Sequence, residues 1–480
     1  MKKKVLLSSI ATIALCLCLI AGSTFALFTS ESKTNIAVTS GNVDLVATVE
    51  DFTLYSVKAD DSGNVTDENG AKYVYAERTD DKFANGGTAV QNGSVITLER
   101  ITPGDKISFG IKAKNDSDVT VQCRYIIQCV SGEELMEGLV VYINDAAYPV
   151  LKSYTSAWTE LAVGESITDD GNIEIAVELP VTAGNKYEKK EVAINVLVEA
   201  VQGNANVGTN NTDVIEFLPN SNATSVSDTA SLKAALDNAV EGENIIVITD
   251  DITEDVVVTA KENVKTTIYG NGNTFDGVLT VDGKSATITS AGLTIKDFVF
   301  KADSISADAC INLGESGNNN TRYTCNVTVE NCTFDVPGAV GVKSYTGGDK
   351  NVSIINCIAT DVTHSLAQLK GVDGVLVDNC KVYSKNGIGF NNSTNVVVRD
   401  CEIDVKGYAV RFGESSGGVG AAEIYKIENC VLKSANDDGD AVIILRGTAD
   451  NSTLTIVNTT IIATNGDEIG NTATGVTIVR

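Results

Sequence analysis

Five cysteines directly follow an Asn or Asp: Asn331-Cys332, Asn356-Cys357, Asn379-Cys380, Asp400-Cys401 and Asn429-Cys430. Thiols recurring in this way can bind metal, form disulfides, carry out redox chemistry or simply pack. An acidic cluster, Asp437, Asp438 and Asp440 around Gly439, could hold Ca²⁺ through oxygen ligands or be a plain acidic turn. His364 is the single histidine, so a His-dependent triad has one candidate base. No pair of His ligands of the His-Glu-x-x-His kind can exist, which argues against a zinc protease.

The elements that position the cysteines are legible from their spacing. Asn331, Asn356, Asn379, Asp400, Asn429 and Asn458 form one column, with steps of 25, 23, 21, 29 and 29 residues. Cys332, Cys357, Cys380, Cys401, Cys430 and Thr459 form the next, and "IKDFVF" at 295–300 is an earlier, divergent copy. A self-similar period in this range marks a solenoid. Val327 and Val329 before the pair and Phe334 after it suggest a strand, a bend at Asn, and a second strand. Asn tolerates the left-handed backbone such a bend needs.

Stacked coils lie about 4.8 Å apart. Inward Cys Cβ atoms at that spacing exceed the ~3.8 Å a disulfide prefers, and a vertical column offers no tetrahedral cage. The column is therefore read as small packed side chains. A bridge between Cys310 and Cys325 stays open. Ahead of the repeats, "SDTASLKAALDNAVEG" breaks the strand pattern with Leu232, Ala235, Leu236, Ala239 and Val240 at helical spacing. This predicts a capping helix over 227–241, started by Ser227 or Asp228 and ended by Gly242.

"TIYGNGNTFDG" at 267–277 and the Asn-Cys repeats resemble the right-handed parallel β-helix of the pectate-lyase-like superfamily across 227–480. That resemblance implies a fold and leaves activity open. Enzymes on this scaffold usually work on acidic polysaccharides at the outer face of one sheet. Lyases there use Ca²⁺ and a basic residue; hydrolases use facing carboxylates. One strand per coil precedes each Asn-Cys unit. Setting Leu313, Val342, Leu369, Phe390, Phe412 and Leu445 inward puts Asn312, Gly341, Gln368, Gly389, Arg411 and Ile444 outward, with Lys343, Lys370 and Arg446 just beyond. Such a face could hold an anionic glycan but lacks carboxylates to cut one. The candidate contacts are Asn312, Lys343, Gln368, Lys370, Arg411 and Arg446; the bland alternative is a solvated sheet face.

The first half alternates with period two. Val43, Leu45, Ala47 and Val49 form one apolar row, as do Ile107, Phe109, Ile111 and Ala113, then Ile173, Ile175, Val177 and Leu179, then Val192, Ile194, Val196, Val198 and Ala200. Half-buried strands of this kind cover one another in a β-sandwich. Cys123 and Cys129 share one strand face about 20 Å apart, which favours packing over pairing. "TFALFTSESKTNIAVTSGNVDL" at 24–45, "ITPGDKISFGIKAKNDSDV" at 101–119 and "ELPVTAGNKYEKKEVAINVLVEAVQG" at 178–203 resemble the TasA/camelysin family. The resemblance implies a jelly-roll sandwich exported through a SipW-type signal peptidase of a Gram-positive bacterium. It also implies fibres in which one subunit's N-terminal strand completes the next subunit's sheet, a mode that an unpaired edge permits.

Residues 1–26 have the form of an export signal: Lys2, Lys3 and Lys4, an apolar run, then small residues before a cut between Ala26 and Leu27. Without those three lysines the net charge of −27 becomes −30. A surface of that sign repels nucleic acid and anionic membranes. Scarce Pro (5), abundant Gly (42) and frequent Val, Ile and Thr favour strands.

The expected chain is all-β: a signal peptide (1–26), a TasA-like jelly-roll sandwich (27–203), a linker (204–226) and a right-handed parallel β-helix (227–480). The leading function is an exported structural or adhesive surface protein. It would require no cofactor, with calcium an option, have a polysaccharide as candidate ligand, and self-assemble through its mature N-terminal strand. The rivals are a polysaccharide lyase or hydrolase, and a module that spaces or recognises protein partners.

Overall fold

The computed structural model describes residues 29–33, 43–57, 75–79, 82–166, 173–187, 189–203, 211–219, 221–282, 290–301, 309–314, 325–344, 350–360, 363–413, 423–435 and 441–480. The signal segment with its Ala26–Leu27 cut, and Asp437, Asp438 and Asp440, lie outside these residues. Among the described residues the chain divides into two compact units, the second beginning at Asn222.

The first unit holds two sheets, of eight and six strands. The alternation read from sequence is what buries them. Ile107, Phe109, Ile111 and Ala113 are all buried along Asp105–Asn115, and Val192 to Ala200 alternate inward along Glu191–Gln202. Asp105 is buried beside the Thr102–Asp105 turn. Its carboxylate accepts from Ser56 Oγ (2.7 Å) and from the Thr102 N–H (2.7 Å), so the turn carries its own acceptor. Cys123 is buried and Cys129 half-buried, both as free thiols. The N-terminal strand Thr29–Lys33 pairs antiparallel with Leu197–Val201, while Val95–Glu99 pairs with residues 191–195 of the same long strand. Two short strands thus share one side of one long strand.

The expected linker is partly strand. Val214–Phe217 pairs with Leu151–Thr155 at an edge of the first unit, and Ala223–Val226 pairs in parallel with Ile245–Ile248 in the second. Edge strands of four residues expose most side chains, so they carry no apolar pattern to find.

The second unit is a solenoid of three parallel sheets. Each coil runs through a strand of an eleven-stranded sheet (sheet I), a bend, a short strand of an eight-stranded sheet (sheet II), a turn, and a strand of a nine-stranded sheet (sheet III). The bend between sheets I and II is the Asn column. Asn331, Asn356, Asn379, Asp400, Asn429 and Asn458 all have φ between 46° and 55°. Their amides bond along the stack: Asn379 Nδ2 donates to Asn356 Oδ1 (2.6 Å) and Asn331 Nδ2 to Asp297 Oδ1 (3.0 Å).

Cys332, Cys357, Cys380, Cys401 and Cys430 lie inward, buried and unpaired, and burial pushes the Cys357, Cys380 and Cys401 thiols far up. Each also acts as a donor. Cys357 Sγ donates to Ile355 O (3.3 Å), Cys380 to Asp378 O (3.3 Å), Cys401 to Arg399 O (3.1 Å) and Cys430 to Glu428 O (3.2 Å). Thr459, the non-Cys member, makes the same bond from its hydroxyl to Val457 O (2.9 Å). The column therefore suits a small side chain with one donor, a finer requirement than apolar filling. Cys310 is buried as a free thiol, so the bridge to Cys325 that the sequence left open is not formed.

The capping helix spans Thr229–Asp237, shorter than expected. Asp228 starts it in a capping box with Ser231, and Leu232 and Leu236 face the core. Lys261 Nζ donates to the carbonyls of Leu236, Asp237 and Ala239, which closes the C-terminal end. Val240, expected on the apolar face, is exposed. Inside the coils Phe300 stacks on Phe334 (5.1 Å) and Phe390 on Phe412 (5.6 Å), with Tyr425 next in the pile (4.1 Å from Phe412).

Candidate functional site: a cationic ledge on sheet III

Sheet III fixes an outward row by its register. Thr280 pairs with Asn312, Asn312 with Lys343, Lys343 with Gln368, Gln368 with Gly389, Gly389 with Arg411, and Arg411 with Ile444. Lys343 therefore belongs in the row where Gly341 was expected. The cause is Ser344. It occupies the inward position next to Leu313 and is buried, its Oγ donating to Lys370 O (3.2 Å). A polar residue facing the core shifted the apparent alternation by two. Asn312, Lys343, Gln368 and Arg411 are brought into one line. Lys370 lies two residues past Gln368, paired with Asn391, and Arg446 just past Leu445, so these two flank the line.

The turns that enter sheet III add three side chains outside that row: His364, named from the sequence only as a lone candidate base, and Tyr408 and Lys385, which the sequence did not single out. His364 Nδ1 lies 3.4 Å from Gln368 Nε2 and 3.3 Å from Ser365 Oγ. The Arg411 guanidinium stacks 4.8 Å above the Tyr408 ring. Both lean over Gly389: a methyl group there would sit 3.2 Å from Arg411 Nη2 and 3.5 Å from Tyr408 Oη. Among the described residues, Arg411 Nε is buried with no hydrogen-bond partner. Tyr408, Ala441 and Ile444 close the far end of the row as a small apolar cluster. Lys385 completes the set. His364 is held below its usual pKa, first by burial and then by the positive charges of Lys385, Arg411 and Lys343. A sequence signal did exist: His364 and Lys385 each stand four residues before a row member, Gln368 and Gly389.

The row holds no carboxylate. Among the described residues no group of three or more His, Cys, Asp or Glu side chains is placed to hold a metal ion. The arrangement can bind: fixed cations, an amide and an imidazole face outward from rigid strands, with a glycine leaving room above the floor. A groove of about 560 Å³ on the outer face of sheet I, floored by Thr267, Thr294 and Thr328, carries charges of both signs, Glu243 and Lys265. Among the described residues no helix is long and apolar enough to cross a membrane.

Residues 277–480 match the family model described as a right handed beta helix region. The second unit is a right-handed β-helix. No curated protein matches the chain. Solved structures similar to it include the catalytic domain of a GH87 alpha-1,3-glucanase in complex with nigerose, at 11% identity and a TM-score of 0.24, covering 80% of this chain and 92% of that one. Another, named only as a glycoside hydrolase, aligns at 9% identity and a TM-score of 0.22, covering 93% of this chain and 82% of that one. Overlaps this loose carry no argument about activity.

Proposed function

We propose that the protein is an exported structural or adhesive component of a cell surface or extracellular matrix, whose β-helix holds an anionic glycan along the sheet III ledge. The observation that carries this reading is the alignment of Lys343, Gln368 and Arg411 in one outward row of sheet III, in a chain of net charge −27. A local cationic site on an acidic molecule selects anions at short range while the overall field rejects other polyanions. Glycan-array binding of the full mature protein, with and without Ca²⁺, tests it. Binding of sulfated or uronate-containing glycans that is lost in Arg411→Gln supports the reading; no glycan bound overturns it. Uronate polymers incubated with the protein supply the competing outcome. Release of unsaturated products would make Arg411 or Lys343 a catalytic base or charge clamp and the protein a lyase.

The TasA/camelysin resemblance supplies the role of the first unit, as anchor or assembly module. The pairing of Thr29–Lys33 beside Val95–Glu99 fits this, because a short terminal strand can be exchanged for a neighbour's. Removing residues 27–40 is expected to abolish self-association in light scattering. Association that survives the truncation would place assembly elsewhere, and a monomer in both forms would make the sandwich a passive stalk.

A further inference from the structure

We infer that the ledge takes up a proton at His364 together with its anion, so that capture tightens as the surroundings acidify. The inference rests on the reading of the ledge as an anion site. His364 sits at the entry to Ser365–Lys370, its backbone N–H donating to Ala339 O (2.7 Å) and its carbonyl accepting from the Asn386 N–H (2.8 Å). The backbone at His364 is therefore held between the coil before it and the coil after it. From its own strand it meets Ser365 and Gln368; Lys343 on the preceding coil and Arg411 two coils on stand in the row of Gln368, and their charges and that of Lys385 on the following coil act on the ring. Among the described residues, every charged group acting on it is positive. A fourth positive charge at this place is disfavoured by the other three and by partial burial.

An anion laid across Lys343 and Arg411 reverses that balance. It neutralises the charges that oppose protonation and offers the imidazolium an acceptor. The hydrogen bonds permit the change. In the neutral ring Gln368 Nε2 donates to Nδ1, which leaves the proton on Nε2. On protonation Nδ1 gains a proton; the Gln368 amide then turns to present its oxygen, or Ser365 Oγ accepts. The proton comes from solvent, and no other bond forms or breaks.

The sign follows by linkage. The free-state pKa is depressed, and the bound state's is higher because the anion favours the charged ring. Affinity is flat above the bound-state pKa, rises as pH falls between the two, and is flat again below the free-state pKa. Each unit by which the anion raises the pKa gives about tenfold tighter binding at the acid plateau.

The experiment uses the full mature protein and a dextran sulfate oligosaccharide, whose sulfate esters stay ionised throughout, with oligogalacturonate as the carboxylate probe. Because His364 is the single histidine, its ring resonances give one unambiguous NMR titration with and without the probe. The expected results are an upward shift of the His364 titration on binding and net proton uptake in calorimetry with buffers of different ionisation heat. In His364→Gln, binding should lose its His-linked pH dependence. Absence of probe binding at any pH overturns the anion-site reading itself. Binding with an unmoved His364 titration, or proton uptake that persists in His364→Gln, overturns this inference and leaves that reading standing. Binding of one probe only, with the shift, upholds the inference and names the anion.

Discussion

The Asn-Cys corner and the sheet III ledge are built on the same coils and make an instructive pair. At the corner, coil after coil repeats the same solution: a left-handed Asn or Asp, then a small inward donor. On the ledge no two coils agree: Asn312, Lys343, Gln368, Gly389, Arg411 and Ile444 follow one another. A requirement of architecture is the same in each coil, because each coil stacks on another like itself. An outward row carries no such stacking requirement, so its side chains are free to differ from coil to coil. The candidate chemistry of the cysteines dissolves into structure for the first reason, and the ledge stands out for the second.

The sharpest test uses two adjacent residues on opposite faces. Phe412→Ala removes the middle ring of the Phe390–Phe412–Tyr425 pile and should cost about 3–5 kcal/mol in denaturant unfolding of the β-helix. Arg411→Gln should cost only about 0.5–1 kcal/mol, chiefly its stacking on Tyr408, while removing anion binding. Similar stability losses from both would erase the distinction between the faces.

At the corner, Asn379→Val places a β-branched residue at φ 49° and breaks the bond to Asn356. The expected loss is about 2–3 kcal/mol, from left-handed strain and one hydrogen bond. A loss below about half a kcal/mol would show that the bend does not depend on its amide.

Glu423 probes the comparison from the other side, because it is an unrepeated residue that faces inward. It is buried, its Oε2 has no hydrogen-bond partner among the described residues, and burial pushes its pKa to about 7 from 4.5. The native state therefore favours the protonated acid. Stability contributed near pH 4 is lost as pH rises from about 4.5 to about 7. Glu423→Gln should change little at low pH and stabilise the protein by about 1–3 kcal/mol at pH 8. A variant that destabilises at pH 8 would mean the charged form is wanted there, and the rule of repeated structure would need revising.

The smallest expected effect separates packing from donation in the Cys column. Cys380→Ala should cost about 1–2 kcal/mol, and Cys380→Ser less, because a hydroxyl can donate to Asp378 O as Thr459 donates to Val457 O. Equal losses would return the column to simple filling. Unfolded, unreduced protein should also show Cys357, Cys380 and Cys401 fully alkylatable by mass spectrometry.

What was legible followed from local rules. The left-handed bends, the inward thiols and the alternating rows of the first unit each depend on a few neighbouring residues, and those residues carried the pattern. The ledge depends on register between coils of unequal length. One inward serine, Ser344, was enough to misplace Lys343 by two residues. His364, Lys385 and Tyr408 come from turns, where the strand period gives no guidance and only the offset to the next row member would have found them. The strands at 214–217 and 223–226 were hidden for a related reason: at a sheet edge, backbone pairing does not require apolar side chains.

The sealed thiols have one more consequence. Each sits on a different coil of a stack in which most contacts join neighbours only, so they mark positions along the axis of the solenoid. A thiol reagent can reach one only when its coil opens. The order in which Cys332, Cys357, Cys380, Cys401 and Cys430 become labelled in mild denaturant would record where unravelling begins and which way it travels. Labelling that advances from Cys430 toward Cys332 would mean that the stack frays from its last coil and that the helix Thr229–Asp237 holds the other end shut.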